Sequence, residues 1–205
     1  MKEMYNNYKR ELKKKNNIIV LVMIIFLIGL IFGSIYISIL SNEQKKIVMD
    51  SVTSFFKTSE KMNFDDKIEI FKNSLYSNLL YCIIMWTLGL SIIGLPIIFI
   101  MIFFKSFITG FSVSSIFAKY GIKGILKVIL YVFPSNIVFT IFVIFLSYFS
   151  ILISNKIFLS AFKKQTINFK TFMGKYFLIL VIGVLISILC SLYDAFVSPL
   201  IYKFI

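Results

Sequence analysis

The sequence predicts an all-α polytopic integral membrane protein: five transmembrane helices with one helical extracytoplasmic segment between helices 1 and 2. Three observations carry this. The 205 residues are 59% hydrophobic and 18% aromatic, too apolar for a water-soluble domain. Several apolar runs reach the roughly 20 residues that a helix needs to cross a hydrocarbon core of about 30 Å. The alternating period of barrel strands is absent, and unpaired backbone groups are costly in lipid, so each run must close its hydrogen bonds within a helix.

Residues 1–17 carry six Lys/Arg against two Glu and form a basic tail. The apolar stretch 18–40 follows directly. It is longer than the roughly 7 to 15 residues of a signal-peptide core and has no small-residue cleavage site after it, so it reads as a retained first transmembrane helix. Its IGLIFGS places Gly29, Gly33 and Ser34 at neighbouring positions. A face of this kind lets two helix backbones approach closely in lipid, either within the chain or between two copies as a homodimer.

Residues 41–75 turn polar and balance six Lys against six acids. The positive-inside rule therefore puts the tail in the cytoplasm and this segment outside. Two amphipathic pieces are expected. Ser41 with Gln44 fits a capping box ahead of Val48, Val52 and Phe55, and Asn63 with Asp66 fits a second ahead of Phe64, Ile68, Phe71 and Leu75. Such a stripe covers membrane helices, lies in the interface or docks a partner.

From Leu79 to Ala118 Lys105 is the only charged residue. One division gives helices over about 76–93 and 96–118, with a turn at Gly94-Leu95 and Pro96 in the first helical position. Lys105 then lies mid-membrane, where a lysine costs about 2.5 to 3.5 kcal/mol unless it snorkels or finds a partner. The other division runs one kinked helix to Phe104, puts Lys105 at the cytoplasmic edge and leaves 13 residues that span poorly. Spanning lengths favour the first. A fourth helix over 128–153 is interrupted by FPSN, where Pro134 frees an upstream carbonyl and Ser135 and Asn136 offer hydrogen bonds. The connection 154–175 carries five Lys and no acid, so it should be cytoplasmic. The fifth helix, about 176–197, holds Asp194, the one acid of the membrane portion. Residues 76–205 thus form a four-helix membrane domain, and five crossings put the C-terminus outside.

The chemistry on offer is thin. Histidine is absent, which removes the commonest general base and metal ligand. Cys82 and Cys190 lie in apolar runs without CxxC spacing and read as small buried hydrophobes. No phosphate-binding loop or HExxH is present, and the outer acids alternate with lysines as on a solvated face. No catalytic, cofactor-binding or metal-binding residues are assigned, and the protein is not expected to be an enzyme. The charge of +13 is spread over tail and loops, which argues for topology signals rather than nucleic-acid binding. A transporter or permease-like subunit is the alternative class: Lys105, Asp194, Asn136 and the break at Gly94 to Pro96 are the residues that would build its site. A plain interfacial pairing of Asp194 with Asn136 or Lys127 is the milder reading.

The stretch MWTLGLSIIGLPIIFIMIFFKSFITGFSVSSIF (85–117), with IIFLIGLIFGSI upstream and FPSN downstream in matching order, resembles the stage II sporulation protein M family. The likeness extends over nearly the whole chain from about residue 18. It implies a non-enzymatic membrane scaffold of the engulfment machinery in endospore-forming bacteria. The family's partners would be two peptidoglycan hydrolases, a lytic transglycosylase and an amidase, at the sporulation septum and engulfing membrane. The family features that map here are Gly89, Gly94, Pro96, Lys105, Gly110 and Pro134, which read as architecture. A small-residue pair expected near the start of the third membrane segment is Lys105-Ser106 here, a departure from the pattern.

Overall fold

The computed structural model describes residues 2–60, 62–163 and 169–202, all of them helix or short connection, with no strand among them. In chain order the elements are α1 (Lys2–Ile39), α2 (Asn42–Glu60), α3 (Phe64–Gly89), α4 (Gly94–Tyr120) and α5 (Ile122–Lys127). A π-helical turn, π1 (Val128–Val132), leads into α6 (Phe133–Lys163). After α7 (Phe169–Leu192) come a second such turn, π2 (Tyr193–Val197), and α8 (Ser198–Tyr202).

Four helical stretches are long and apolar enough to cross a membrane: Asn17–Ile39, Gly94–Tyr120, Pro134–Ser160 and Met173–Leu200. The expected second span, 76–93, is not one of them. It is the latter half of α3, which starts twelve residues earlier at Phe64 as one continuous helix. The physical reason is the polar run Lys72, Asn73, Ser74, Ser77 and Asn78, which dilutes the apolar stretch behind it.

Both capping boxes form. Ser41 N donates to Gln44 Oε1 at 3.0 Å and Gln44 N to Ser41 Oγ at 3.3 Å, opening α2. Asn63 N donates to Asp66 Oδ2 at 2.9 Å at the start of α3. The stripe on α2 is phased differently from expectation: Val48, Val52 and Phe56 face inward, and Phe55 stands half-exposed. Spacing of i, i+4, i+8 keeps a narrow stripe on one side of the helix, and it anchors α2 on Ile116, Val128, Val113 and Tyr120.

The break between α3 and α4 falls at Leu90 to Ile93 rather than at Gly94-Leu95. Gly94 N donates back to Ser91 O at 3.3 Å, so Gly94 and Pro96 both lie in the first turn of α4. Proline is tolerated there because the first four N–H groups of a helix have no intrahelical partner. Gly94 is required by proximity: a Cβ at this position would fall on the carbonyl of Leu88. Lys105 therefore lies well inside α4. The basic connection expected over 154–175 is largely helical, since α6 runs to Lys163 and α7 starts at Phe169; residues 164–168 and the terminal Lys203 lie outside the described residues.

The core joins α3, α4, α6 and α7 through Cys82, Met85, Ile98, Ile102, Phe142, Leu146 and Tyr176, with Val22 of α1 reaching it. Helix α1 pairs chiefly with α4 and leaves much of its apolar surface uncovered, including Phe32 and Ile35. Surface of that kind needs lipid against it.

Candidate functional site

Four features gather the residues singled out in the sequence. The first is the seam between α1 and α4. A Cβ on Gly29 would fall on Ser106 Oγ and stand 2.6 Å from Phe103 O, and one on Gly33 would fall on the carbonyl of Phe107. From the other side a Cβ on Gly110 would fall on Leu30 O. Ser34 Oγ donates to Gly110 O at 3.5 Å. Gly29 thus meets Ser106, Gly33 the Phe107 backbone and Gly110 the Leu30 backbone, so the GxxxG face is occupied within the chain. Phe32, Tyr36, Phe103, Phe107 and Phe111 form edge and stacked ring contacts beside this seam.

The second is Lys105. Its ammonium stands 4.7 Å from the Phe139 ring centre on α6 and 6.0 Å from that of Tyr81 on α3. Ring faces carry negative quadrupole charge, which partly replaces lost hydration. Tyr81 O–H donates to Met101 O at 3.0 Å, holding its ring across the α3–α4 interface. Asp194 and the thiols of Cys82 and Cys190 lie within electrostatic range of the ammonium. Both cysteines are free and buried.

The third is a half-open pocket of about 410 Å³, with a mostly apolar surface and a few polar groups, lined by Phe55, Ile70, Asn73, Ser74, Ser77, Asn136, Asp194 and Ser198. Ser74 Oγ donates to Asp194 Oδ2 at 2.9 Å, tying α3 to π2. Asn136 lines the same pocket as Asp194. Lys127 does not: its ammonium stacks over Tyr120 at 4.1 Å and Phe56 at 4.8 Å. Just above the cavity, Tyr193 O–H donates to Leu130 O at 2.9 Å. Leu130 is the residue four before Pro134, so this is the carbonyl that the proline leaves without its helical donor. Cys190 Sγ donates to Ser135 O at 3.5 Å, a second tie at the same break. Single-turn π segments recur at functional sites, and two of them meet here.

The fourth is the surface of α2 and the start of α3. Ile47, Phe55 and Phe64 are exposed, Phe64 by 67%, with the Phe196 ring tilted beside it at a centroid separation of 6.4 Å. Ile68 and Phe71 are half-buried. Beside Phe55 and Ile47, an open groove of about 520 Å³ runs between α2 and α4, lined also by Val48, Phe111 and Ser115.

Sequence reasoning missed one structural knot. Trp86 and Tyr176 stack at 5.1 Å, Trp86 Nε1 donates to Tyr176 O at 3.1 Å, and Tyr176 O–H donates to Trp86 O at 2.7 Å. Ser150 Oγ reaches the same hydroxyl at 2.8 Å. Gly89 has no room for a side chain because Tyr176 and Ser150 fill that place. The single tryptophan of an apolar chain was the available signal; its partner 90 residues on was not.

A sequence model of the family described as Stage II sporulation protein M matches residues 22–199. The chain belongs to this family. The matched region takes in the apolar part of α1 and everything from α2 to the start of α8, so the family assignment rests on the whole helical assembly. Searches of curated proteins and of solved structures each returned no match. The protein is thus a multi-helical, sporulation-related membrane protein.

Proposed function

We propose that the protein is a non-enzymatic membrane scaffold that recruits and organises peptidoglycan hydrolases, a lytic transglycosylase and an amidase, for septal wall remodelling during engulfment. The observation that carries the reading is the way α2 is held. One stripe, ending at Phe56, docks it on α4 and α5–π1, while Ile47 and, at the adjoining start of α3, Phe64 stay exposed. Helix propensity alone holds a 19-residue helix weakly in water, so the docked stripe gives the open side a fixed orientation.

The orientation that suits this role has the basic tail in the cytoplasm and α2 outside. A fifth crossing, by α3, fits the same arrangement. Ser74 contacts Asp194 near one end of α7–π2, and Trp86 contacts Tyr176 near the other, so α3 runs antiparallel beside a membrane-length helix. Ser74 to Trp86 covers about 18 Å along the helix axis. The polar side chains of α3 are in part tied to its neighbours, as Ser74 is to Asp194, which offsets some of its modest hydropathy. The C-terminus is then extracytoplasmic.

The test is recruitment. Phe64→Asp and Ile47→Asp place a charge on the open side without touching the Phe56 anchor. Hydrolase recruitment to the septal membrane should be lost while the amount of membrane-inserted protein stays at the wild-type level. Recruitment that persists through both substitutions would refute the role of this surface. The permease-like reading draws on Lys105 and the Asp194 cavity; it requires Lys105→Ala to abolish function with recruitment intact, whereas a scaffold tolerates that change.

A further inference from the structure

We propose that the cavity between α3, α6 and π2 binds a partly hydrated monovalent alkali cation, with the Asp194 carboxylate as its charged ligand and hydroxyl and amide oxygens completing the shell. The inference stands independently of the scaffold role.

The lining supplies oxygens from several elements: Ser74 and Ser77 with Asn73 on α3, Asn136 on α6, Asp194 on π2 and Ser198 on α8. A carboxylate offers about four lone-pair directions, and Ser74 takes one. Among the described residues no ammonium or guanidinium stands within ion-pair distance of Asp194. Ser198 is 1% exposed and its Oγ has no hydrogen-bond partner, although it faces the same cavity. Leaving a buried hydroxyl unpaired is costly, and Ser198 beside this carboxylate calls for a ligand that accepts an oxygen lone pair.

Cation chemistry follows from the donors. All the cavity's polar side chains can present oxygen, the ligand of hard cations, and no group of three His, Cys, Asp or Glu exists among the described residues to hold a transition metal. A single carboxylate with the Lys105 ammonium in electrostatic range disfavours a divalent ion. About 410 Å³ exceeds what a bare alkali ion fills, and at about 30 Å³ per water the remainder holds several waters.

The experiment is thermal unfolding of the purified full-length chain in nanodiscs, in sodium, potassium or N-methyl-D-glucamine chloride at equal ionic strength. Sodium or potassium should raise Tm saturably, and the bulky organic cation should not. Asp194→Asn should weaken the apparent cation affinity by about tenfold or more, the loss of a charged ligand. Ser198→Ala should leave Tm in the organic chloride unchanged or higher, because it removes an unpaired hydroxyl, yet weaken the cation response about threefold or more. Equal Tm in all three chlorides would mean a cavity filled by water alone and would overturn the proposal. So would a full cation response in Ser198→Ala, which decides the matter even where Asp194→Asn does not fold.

Discussion

Gly33→Ala adds a single methyl group where α1 and α4 cross, and the structure fixes what that group meets. The new Cβ would fall on the Phe107 carbonyl, with the Phe107 Cα 3.0 Å away, all backbone that no rotamer change can move. The two helices must separate, which loosens the Ser34–Gly110 bond and the matching contacts at Gly29 and Gly110. Overpacking of this kind costs about 1 to 3 kcal/mol, or roughly 5- to 150-fold in the folding equilibrium at 1.4 kcal/mol per tenfold. Unfolding of the purified protein by graded addition of SDS to mild detergent measures it, with Gly174→Ala as the control of opposite sign. A Cβ on Gly174 meets nothing within 4 Å, so alanine in that helix should be neutral or stabilise by about 0.4 to 1 kcal/mol. Were Gly33→Ala to leave unfolding unchanged while abolishing a homodimer, the seam would belong between two copies and the packing described for α1 would be refuted.

Two further perturbations probe other joints. Phe56→Ala should cost about 3 to 5 kcal/mol of docking and make α2 sensitive to added protease, while Phe55→Ala should leave cleavage near the wild-type rate; equal sensitivity of the two would show that the stripe is phased as i, i+4, i+7 after all. Tyr193→Phe leaves the Leu130 carbonyl without a donor above Pro134 and should lower stability by about 1 to 3 kcal/mol in the same SDS titration, whereas an unchanged midpoint would mean that this carbonyl finds another donor.

Much of the architecture was legible because lipid leaves the backbone few options. The apolar runs, both capping boxes and the proline break could be read locally, since each depends on residues within a turn or two of one another. The turn after α3 was placed a few residues late, because Gly94 is there for close approach to Leu88, not to end a helix. Phe55 and Phe56 are equally apolar, so only the position of α4 selects between them. The pocket beside Asp194 was half visible. Asp194 and Asn136 stood out as polar groups in apolar helices, but Ser74 lies 120 residues from Asp194, and its hydroxyl looked like ordinary polar surface. Likewise Pro134 announced a freed carbonyl, yet nothing local named Tyr193 as the group that meets it.

The most direct test of the central claim is photo-crosslinking in sporulating cells from a photoreactive amino acid placed at Phe64. A scaffold for wall enzymes should trap a peptidoglycan hydrolase there, and the same probe at lipid-facing Ile35 should not. Crosslinks from position 64 to lipid or to the chain itself alone, with no hydrolase among the products, would contradict the account.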